Sequence, residues 1–403
     1  MLILVKIFFS LSVLYLGYCA GYMLVLSIAG KFLRKKIKPL YRVTKFRKFA
    51  ILVPAYKEDD VILSSVLSYT KIRYPEECFD IFVIADQLKE TTLLSLKNTR
   101  ANLILVNFQK SSKANAINYA FQVIPDGYDI ALICDADNVL HPDFLRFVNE
   151  DFDAGFLAVQ GQRVAKNLDS PYAVFDATSE MVNNHMFRAG NTAMGCSSAI
   201  IGSGMAFDYR IIKEIFREIK VLSGFDKLLQ FLLLKHGIKI FYDNRAVVYD
   251  EKVSQPIVLA KQRRRWIFSQ FHFLFNHISS SFRELSNGNV DYFHLAFLQA
   301  IILPRSFLLL LFFLNISISL FLLHISTFFL YIFILELVVF LFAIFISLPL
   351  SFFRKFILPN LTYLPMMIFT MFIALFHSHK AKYEFFHTKH VQVGINNPLY
   401  EYE

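Results

Sequence analysis

Two carboxylates, Asp135 and Asp137, flank a single alanine where the apolar run DIALICDAD (129–137) ends. At i and i+2 on a turn, both can reach one hard divalent cation and the ligand it holds. Mg2+ and Mn2+ favour such oxygen ligands and commonly bridge to phosphates. Alone the pair is ordinary turn chemistry; its company gives it weight. Val53-Pro54-Ala55-Tyr56-Lys57-Glu58 closes one apolar run, Ala85-Asp86 closes another, and Lys113-Ala114-Asn115-Ala116-Ile117-Asn118 opens a helical stretch. Behind the pair come Gly202-Ser203-Gly204, Gly224-Phe225-Asp226 and Gln262-Arg263-Arg264-Arg265-Trp266. A cation at a helix start can meet phosphate, and a lone carboxylate can take a proton from an attacking hydroxyl. Each also has a plainer reading. Asp226 could be a solvated helix-start carboxylate, Gly202-Ser203-Gly204 a tight turn, and the arginines phospholipid contacts. Trp266, the only tryptophan, could be buried or an interfacial anchor.

The elements that must position these residues follow a simple alternation. FAILVPAY (49–56), FDIFVIAD (79–86), NLILVNF (102–108) and DIALICDAD (129–137) read as strands, with helix-length stretches at 58–70, 88–99 and 112–123 between them. Strand–helix alternation at this spacing predicts βαβ units and a mainly parallel sheet with helices on both faces. Ligands of such sheets bind outside the carboxyl ends of the strands, where the polar residues above sit.

Composition sets this α/β core in a greasy chain. The 403 residues are 55% hydrophobic and only 18% charged, with 42 Lys and Arg against 32 Asp and Glu and a formal charge of +10. Mean hydropathy is +0.45. Disorder, collagen and a disulfide scaffold are excluded, and the four scattered cysteines read as thiols in a reducing compartment. Residues 2–29 are long enough to cross a bilayer and too long an apolar run for a signal peptide. Nine Lys and Arg and no acidic residue follow over 31–48. A nucleic-acid patch is a less simple reading than a juxtamembrane segment that marks the cytoplasmic side, so no nucleic acid is expected as a partner. After Trp266 come 25 of the 45 Phe. Residues 267–283 read as an interfacial helix, and 306–324 and 327–350 as two spans joined by a tight turn. Glu336 lies inside the second span, where a carboxylate usually faces protein. Residues 356–377, interrupted by Pro359, Asn360 and Pro365 and basic on both flanks, read as interfacial or re-entrant. Three crossings leave the C-terminus cytoplasmic.

The ordered motif series resembles the family 2 glycosyltransferases, the inverting nucleotide-sugar enzymes that include cellulose, hyaluronan and poly-N-acetylglucosamine synthases. It covers about 49–270, and a DxD with QxxRW at this separation is a specific combination. The resemblance implies a nucleotide-sugar-binding Rossmann-like α/β domain. In it Pro54, Tyr56, Glu58 and Asp86 line the nucleoside pocket, Lys113 and Arg265 meet the diphosphate, and Asp135 contacts the nucleotide. Asp137 holds Mg2+ or Mn2+, and Asp226 is the general base. Gly202, Ser203, Gly204, Gln262 and Trp266 serve the acceptor. Phe386-His387-Thr388-Lys389-His390 is similar to the elements that close over the nucleotide in relatives, with Lys389 in place of their Pro. Lys57 stands where Asn is frequent, and GFD replaces TED.

The expected organisation is an anchor (1–30), a basic segment (31–48), a cytoplasmic catalytic domain (49–255), the QRRRW motif with interfacial helices (256–305), two spans (306–350) and an interfacial helix with the FFHTKH segment (351–403). The expected activity is transfer from a UDP-sugar, UDP-N-acetylglucosamine or UDP-glucose, to a glycan or lipid-linked acceptor, with a β-linkage, at the inner or plasma membrane. Three crossings are few for a polymer channel, so the chain either forms homo-oligomers or adds few sugars. A transporter would show paired broken helices, which the sequence lacks. A non-catalytic assembly subunit would not need DAD, Asp226 and QRRRW intact.

Overall fold

The computed structural model describes residues 2–33, 45–219, 221, 224–377 and 390–397. Most of the basic segment (34–44), and 386–389 of the C-terminal motif, lie outside the described residues. The four predicted apolar runs become β1 (Phe49–Tyr56), β2 (Phe79–Asp86), β3 (Ala101–Val106) and β4 (Ile130–Ile133). They are joined by β5 (Val139–Leu140), β6 (Ala158–Ala165), β7 (Met205–Asp208) and β8 (Ile240–Asp250). All eight form one sheet in the order β3-β2-β1-β4-β7-β6-β8-β5. Pairing is parallel through β3-β2-β1-β4 and between β6 and β8, while β7 and β5 run antiparallel to their neighbours. The mainly parallel, Rossmann-like architecture is the one expected.

Successive side chains on a strand point to opposite faces. On β1, Ala50 and Leu52 join a core with Ile117, Phe121 and Phe216, whereas Ile51 and Val53 join Ile62, Val66 and Phe144 on the other face. With both faces covered, these strands read as continuous apolar runs instead of alternating ones. Fully burying each such side chain contributes about 1.5–3 kcal/mol. The covering helices include Ile62–Tyr69, Glu90–Lys97 and Lys113–Val123. The first begins later than the polar stretch from 58 suggested. Asp59 accepts from Lys89 N (2.8 Å) and Thr92 Oγ1 (2.6 Å), which holds the preceding loop out of the helix. Ser112 caps the third by accepting from Asn115 N at 3.1 Å.

Outside this domain, the helices Leu2–Ile28, Arg305–Phe321 and Leu323–Ile346 pack through Phe9, Leu16, Met23, Phe312, Phe333 and Phe340. Ser27 Oγ donates to Ala343 O at 2.9 Å, and Gly17 leaves the space that Glu336 occupies: a Cβ there would lie 2.7 Å from Glu336 Oε1. Both ends of the Arg305–Ile346 hairpin sit beside the α/β domain. Arg305 donates to Ser179 O at 3.0 Å, and Ser347 shares a cavity wall with Arg163 and Asn184. Among the described residues, three segments are long and apolar enough to cross a membrane: Ile3–Leu33, Thr327–Ile346 and Leu350–Phe376. Arg305–Phe321, expected to span, is shorter, and Leu350–Phe376 is less interrupted than its prolines suggested. Pro359 and Pro365 stand inside this continuous helix, where each removes one backbone donor.

Candidate active site

The parallel register sets Tyr56 of β1 beside Asp86 of β2 at the carboxyl edge of the sheet. Pairing of β1 with β4 stops at Leu52, so Pro54 lies where the strand has lost one neighbour and its missing N–H is tolerated. Directly after the two strands, Lys57 and Gln87 take left-handed φ of 55° and 57°, and Lys57 N donates to Asp86 O at 3.1 Å. Those two turns release the chain from the sheet at one level. The Asp86 side chain is buried, and its Oδ1 has no hydrogen-bond partner among the described residues. A buried acceptor of that kind calls for a donor.

Lys113, the first residue of its helix, forms an ion pair with Asp135 and donates to Gly202 O at 2.6 Å. Its ammonium lies 5.6 Å from the centre of the Phe225 ring. Asp137 is buried, with Oδ2 accepting from Glu251 N (2.8 Å) and Oδ1 from Asn138 Nδ2 (3.2 Å). Its carbonyl accepts from Lys166 Nζ at 2.8 Å.

The loop Gly202-Ser203-Gly204 faces these groups. Gly202 and Gly204 have φ of +83° and +60°, and a Cβ on Gly204 would meet Val248 Cγ1 at 2.6 Å. Only glycine fits there. Ser203 Oγ bonds Asn138 Oδ1, and Gln160 Nε2 donates to Ser203 O at 2.9 Å. A Cβ on Gly202 would be 3.9 Å from that of Asp226, in the first turn of the helix Phe225–Lys235. The loop therefore lies against both Lys113 and Asp226.

On the helix Pro256–Ser286, burial lowers the Arg265 pKa while the Asp226 charge opposes it. Gln262 Oε1 is buried without a hydrogen-bond partner among the described residues. Trp266 is 40% exposed and its ring lies 4.3 Å from the Arg263 guanidinium, which pairs with Asp176. The predicted donor-side residues, the glycine loop, Asp226 and Arg265 thus come together. Gln262 and Trp266 lie on the same helix as Arg265.

Sequence reading named Glu58 and His390 but missed the other supports, Lys166 and Glu251. His390 Nδ1 lies 3.0 Å from Glu58 Oε1. Burial disfavours its charged form, but the Asp137 charge, the Glu58 bond and Glu251 outweigh it and raise the pKa to about 10. Glu251 Oε2 accepts from Val391 N and Gln392 N, both at 2.8 Å. Lys166, only 1% exposed, also donates to Gln392 O at 2.6 Å. Burial lowers its pKa, with Asp137, Glu251 and Asp250 opposing. Residues 390–397 are strapped to the rim of the site by these groups. Nothing in the local pattern around Lys166 or Glu251 signals that role.

A sequence model described as "Glycosyltransferase like family 2" matches residues 47–269. The chain belongs to this family. It is a glycosyltransferase of the nucleotide-sugar type. No curated protein matches the sequence. Among solved structures, the mannosyltransferase PcManGT from Pyrobaculum calidifontis, in complex with GDP-Man and Mn2+, is similar over 92% of this chain and 99% of its own, with 14% identity and a TM-score of 0.55. Glucosyl-3-phosphoglycerate synthase from Mycobacterium tuberculosis, in complex with Mn2+, UDP and glucosyl-3-phosphoglycerate, matches 58% of this chain and 85% of its own, at 13% identity and TM-score 0.40. TarS 1-349 from S. aureus, in complex with UDP-GlcNAc, matches 55% and 66%, at 14% identity and TM-score 0.37. The first of these supports the fold of the glycosyltransferase.

Whether the glycosyltransferase suits a divalent cation follows from its donors. Asp135 and Asp137 offer carboxylate oxygens, each with more lone-pair capacity than its present bonds use. Among the described residues no three His, Cys, Asp or Glu side chains form a metal-binding group. The residues fit a Mg2+ or Mn2+ that takes its remaining oxygens from phosphate and water, and do not form an all-protein cage.

Proposed function

We propose that the chain is a membrane-bound inverting glycosyltransferase that moves a sugar from a UDP-sugar to a glycan or lipid-linked acceptor, leaving a β-linkage. UDP-N-acetylglucosamine is the first donor to test and UDP-glucose the second. One observation carries this reading. The Gly202 carbonyl accepts from Lys113 while the same residue lies against Asp226. The group assigned to the leaving diphosphate and the group assigned to the attacking hydroxyl therefore meet across one residue.

In this reading Pro54, Tyr56, Glu58 and Asp86 hold the nucleoside, with the open Asp86 Oδ1 accepting from a base N–H. Lys113 exchanges Asp135 for the diphosphate, Asp135 turns to the nucleotide, and Arg265 adds a second cation. Asp226 takes the acceptor hydroxyl proton as that oxygen attacks the anomeric carbon from the face opposite the diphosphate, so configuration inverts. Gln262 Oε1 and the exposed Trp266 ring offer the acceptor a hydrogen bond and a stacking face, beside Gly202, Ser203 and Gly204. A Mg2+ or Mn2+ held by Asp137 supplies, when bound, neutralisation of the diphosphate charge. The Mn2+ and GDP-Man in PcManGT support a metal and a nucleotide sugar here.

The membrane reading is that Leu2–Ile28, Arg305–Phe321 and Leu323–Ile346 cross, with the domain 49–255 cytoplasmic. The return of both hairpin ends to that domain supports it. So does the packing of Ala374 against Ile267 and Phe307, which lays the last apolar helix along the QRRRW helix. His390 beside Glu58 requires the C-terminal segment on the same side. With three crossings, one chain adds few sugars or acts as an oligomer.

The test is nucleotide release from UDP-sugars by membranes carrying wild-type or Asp226→Asn protein, with and without Mn2+. Metal-dependent release that the substitution abolishes is expected. Equal, metal-independent release from both sinks the mechanism.

A further inference from the structure

β6 and β8 run parallel and in register to their last residues, Ala165 opposite Asp250. The next residue on each strand, Lys166 or Glu251, therefore leaves the sheet at its carboxyl edge, where ligands of such sheets sit. Lys166 N still donates to Asp250 O at 2.7 Å, which keeps the two strand ends side by side. Each of these two residues bridges the same pair of places. Lys166 Nζ donates to Asp137 O (2.8 Å) and to Gln392 O (2.6 Å). Glu251 N donates to Asp137 Oδ2 (2.8 Å), while its Oε2 accepts from Val391 N and Gln392 N. Asp137 is thus held at its carbonyl and at its carboxylate by the residues that also hold the segment 390–397.

That segment is anchored unevenly. At its far end Ile395 packs with Val139, Val164 and Tyr249, and Asn397 Nδ2 donates to Ala165 O at 2.8 Å. Nearer the site, Val391 and Val393 are 60% and 51% exposed, so 390–393 gains little from apolar burial. Its docking rests on polar bonds: His390 with Glu58, Ser64 Oγ donating to Val393 O at 3.1 Å, and the contacts of Lys166 and Glu251. A buried ammonium needs its acceptors, because withdrawing it from water without them is costly. Lifting 390–393 takes from the buried Lys166 one of its two carbonyls and from Glu251 both of its amides. Docking therefore steadies Lys166 and Glu251, and through them Asp137.

We propose that Lys166 and Glu251 are positioning residues through which segment 390–393 sets the divalent-cation affinity of Asp137, by a route that does not pass through the nucleoside. This rests on the reading of Asp137 as the residue that holds the metal. Such coupling is reciprocal, so a cation at Asp137 steadies 390–393 by the same factor. Charge and position predict opposite outcomes at Lys166. Its ammonium faces the charges of Asp137, Glu251 and Asp250. By charge alone, removing it tightens the binding of a second cation nearby. Through loss of positioning, removing it weakens that binding.

The experiment titrates the full-length protein in phosphatidylcholine nanodiscs with Mn2+ and inorganic pyrophosphate, which leaves the nucleoside pocket empty, and repeats the titration with UDP. Protein-bound Mn2+ is read by electron paramagnetic resonance, and amide exchange is followed at 391–393. Mn2+ with pyrophosphate is expected to slow that exchange in the wild type. Lys166→Met should weaken Mn2+ binding about ten-fold and abolish the slowing. Glu251→Ala keeps the backbone N–H on Asp137 and should have the same effect; Glu251→Gln, still an acceptor, should restore both readouts. Should Lys166→Met fail to fold, the two Glu251 variants carry the same decision. Tighter Mn2+ binding by Lys166→Met, or equal weakening by Glu251→Gln and Glu251→Ala, reduces the effect to charge and overturns the proposal. Slowing with UDP but not with pyrophosphate also overturns it, while leaving Asp137 as the metal-holding residue. A wild type that binds no Mn2+ with either ligand overturns the reading of Asp137 and the proposal with it.

Discussion

The two ends of the sheet hold their charges in opposite ways. At the β3-β2-β1-β4 end, carboxylates sit at strand termini with acceptor capacity left over, as the open Asp86 Oδ1 and the half-exposed Asp135 show. Around β6 and β8, Glu180 and Asp243 are instead fully engaged by arginines. Glu180 is shared by Arg163 and Arg188, which hold its pKa far below the usual carboxylate range despite burial. Asp243 accepts from Arg245 through Oδ1 (Nε, 3.1 Å) and Oδ2 (Nη2, 2.7 Å). The first arrangement leaves groups free for a ligand; the second is scaffold. A substitution at the first end should therefore cost activity, and one at the second should cost the fold.

The sharpest contrast is between two carboxylates. Asp226→Asn should slow transfer about 10²–10⁴-fold with little change in unfolding midpoint, read by product formation and calorimetry on the same preparation. Glu180→Ala leaves buried guanidinium groups unpaired and should destabilise by about 3–5 kcal/mol. A Glu180→Ala protein as stable as wild type would break the comparison. Between these extremes stands Glu251, which touches both Asp137 and the strap. Glu251→Ala should cost about 1–3 kcal/mol of local stability at 391–392, seen as faster amide exchange there. Glu251→Gln, still an acceptor, should keep most of the protection.

The last contrast is one of pH dependence, at Asp151. Burial, then the Asp243 charge, raise its pKa against the pull of Arg245. In the unfolded chain an aspartate ionises near about 3.9. The fold therefore keeps a proton that the unfolded chain has lost, and this stabilising contribution, complete in acid, declines as pH rises. Asp151→Asn should flatten the stability profile from about pH 4 upward. Equal slopes in urea melts would show that Asp151 is ionised in the native state.

Legibility in the sequence divides along the same line. β1 to β4 and the helices between them announce themselves, because apolar runs and a Ser cap are local signals. AVQGQRVA of β6 and IFYDNRAVVYD of β8 do not read as strands, since their Gln, Arg and Asp are satisfied by distant partners. Arg163 needs Glu180, and Gln160 needs the backbone of the glycine loop. The strand-end carboxylates of the site were readable for the reason that makes strand ends binding sites. Lys166 and Glu251 were not, because a buried lysine looks like any surface lysine until its tertiary partners are known. The prolines of 350–376 interrupt the sequence pattern but not the helix, which runs on through Pro359 and Pro365.

The Glu58–His390 contact has a consequence for how the protein is made. It joins residues 332 positions apart, and the whole Arg305–Ile346 hairpin lies between them. The donor half of the domain can leave the ribosome and fold early, but the rim strap cannot dock until that hairpin has been made and the chain has returned. A nascent chain that stalls before residue 390 carries a folded nucleotide domain without its rim. On the proposed topology, completion of the rim is coupled to insertion of that hairpin and comes last in the making of the protein.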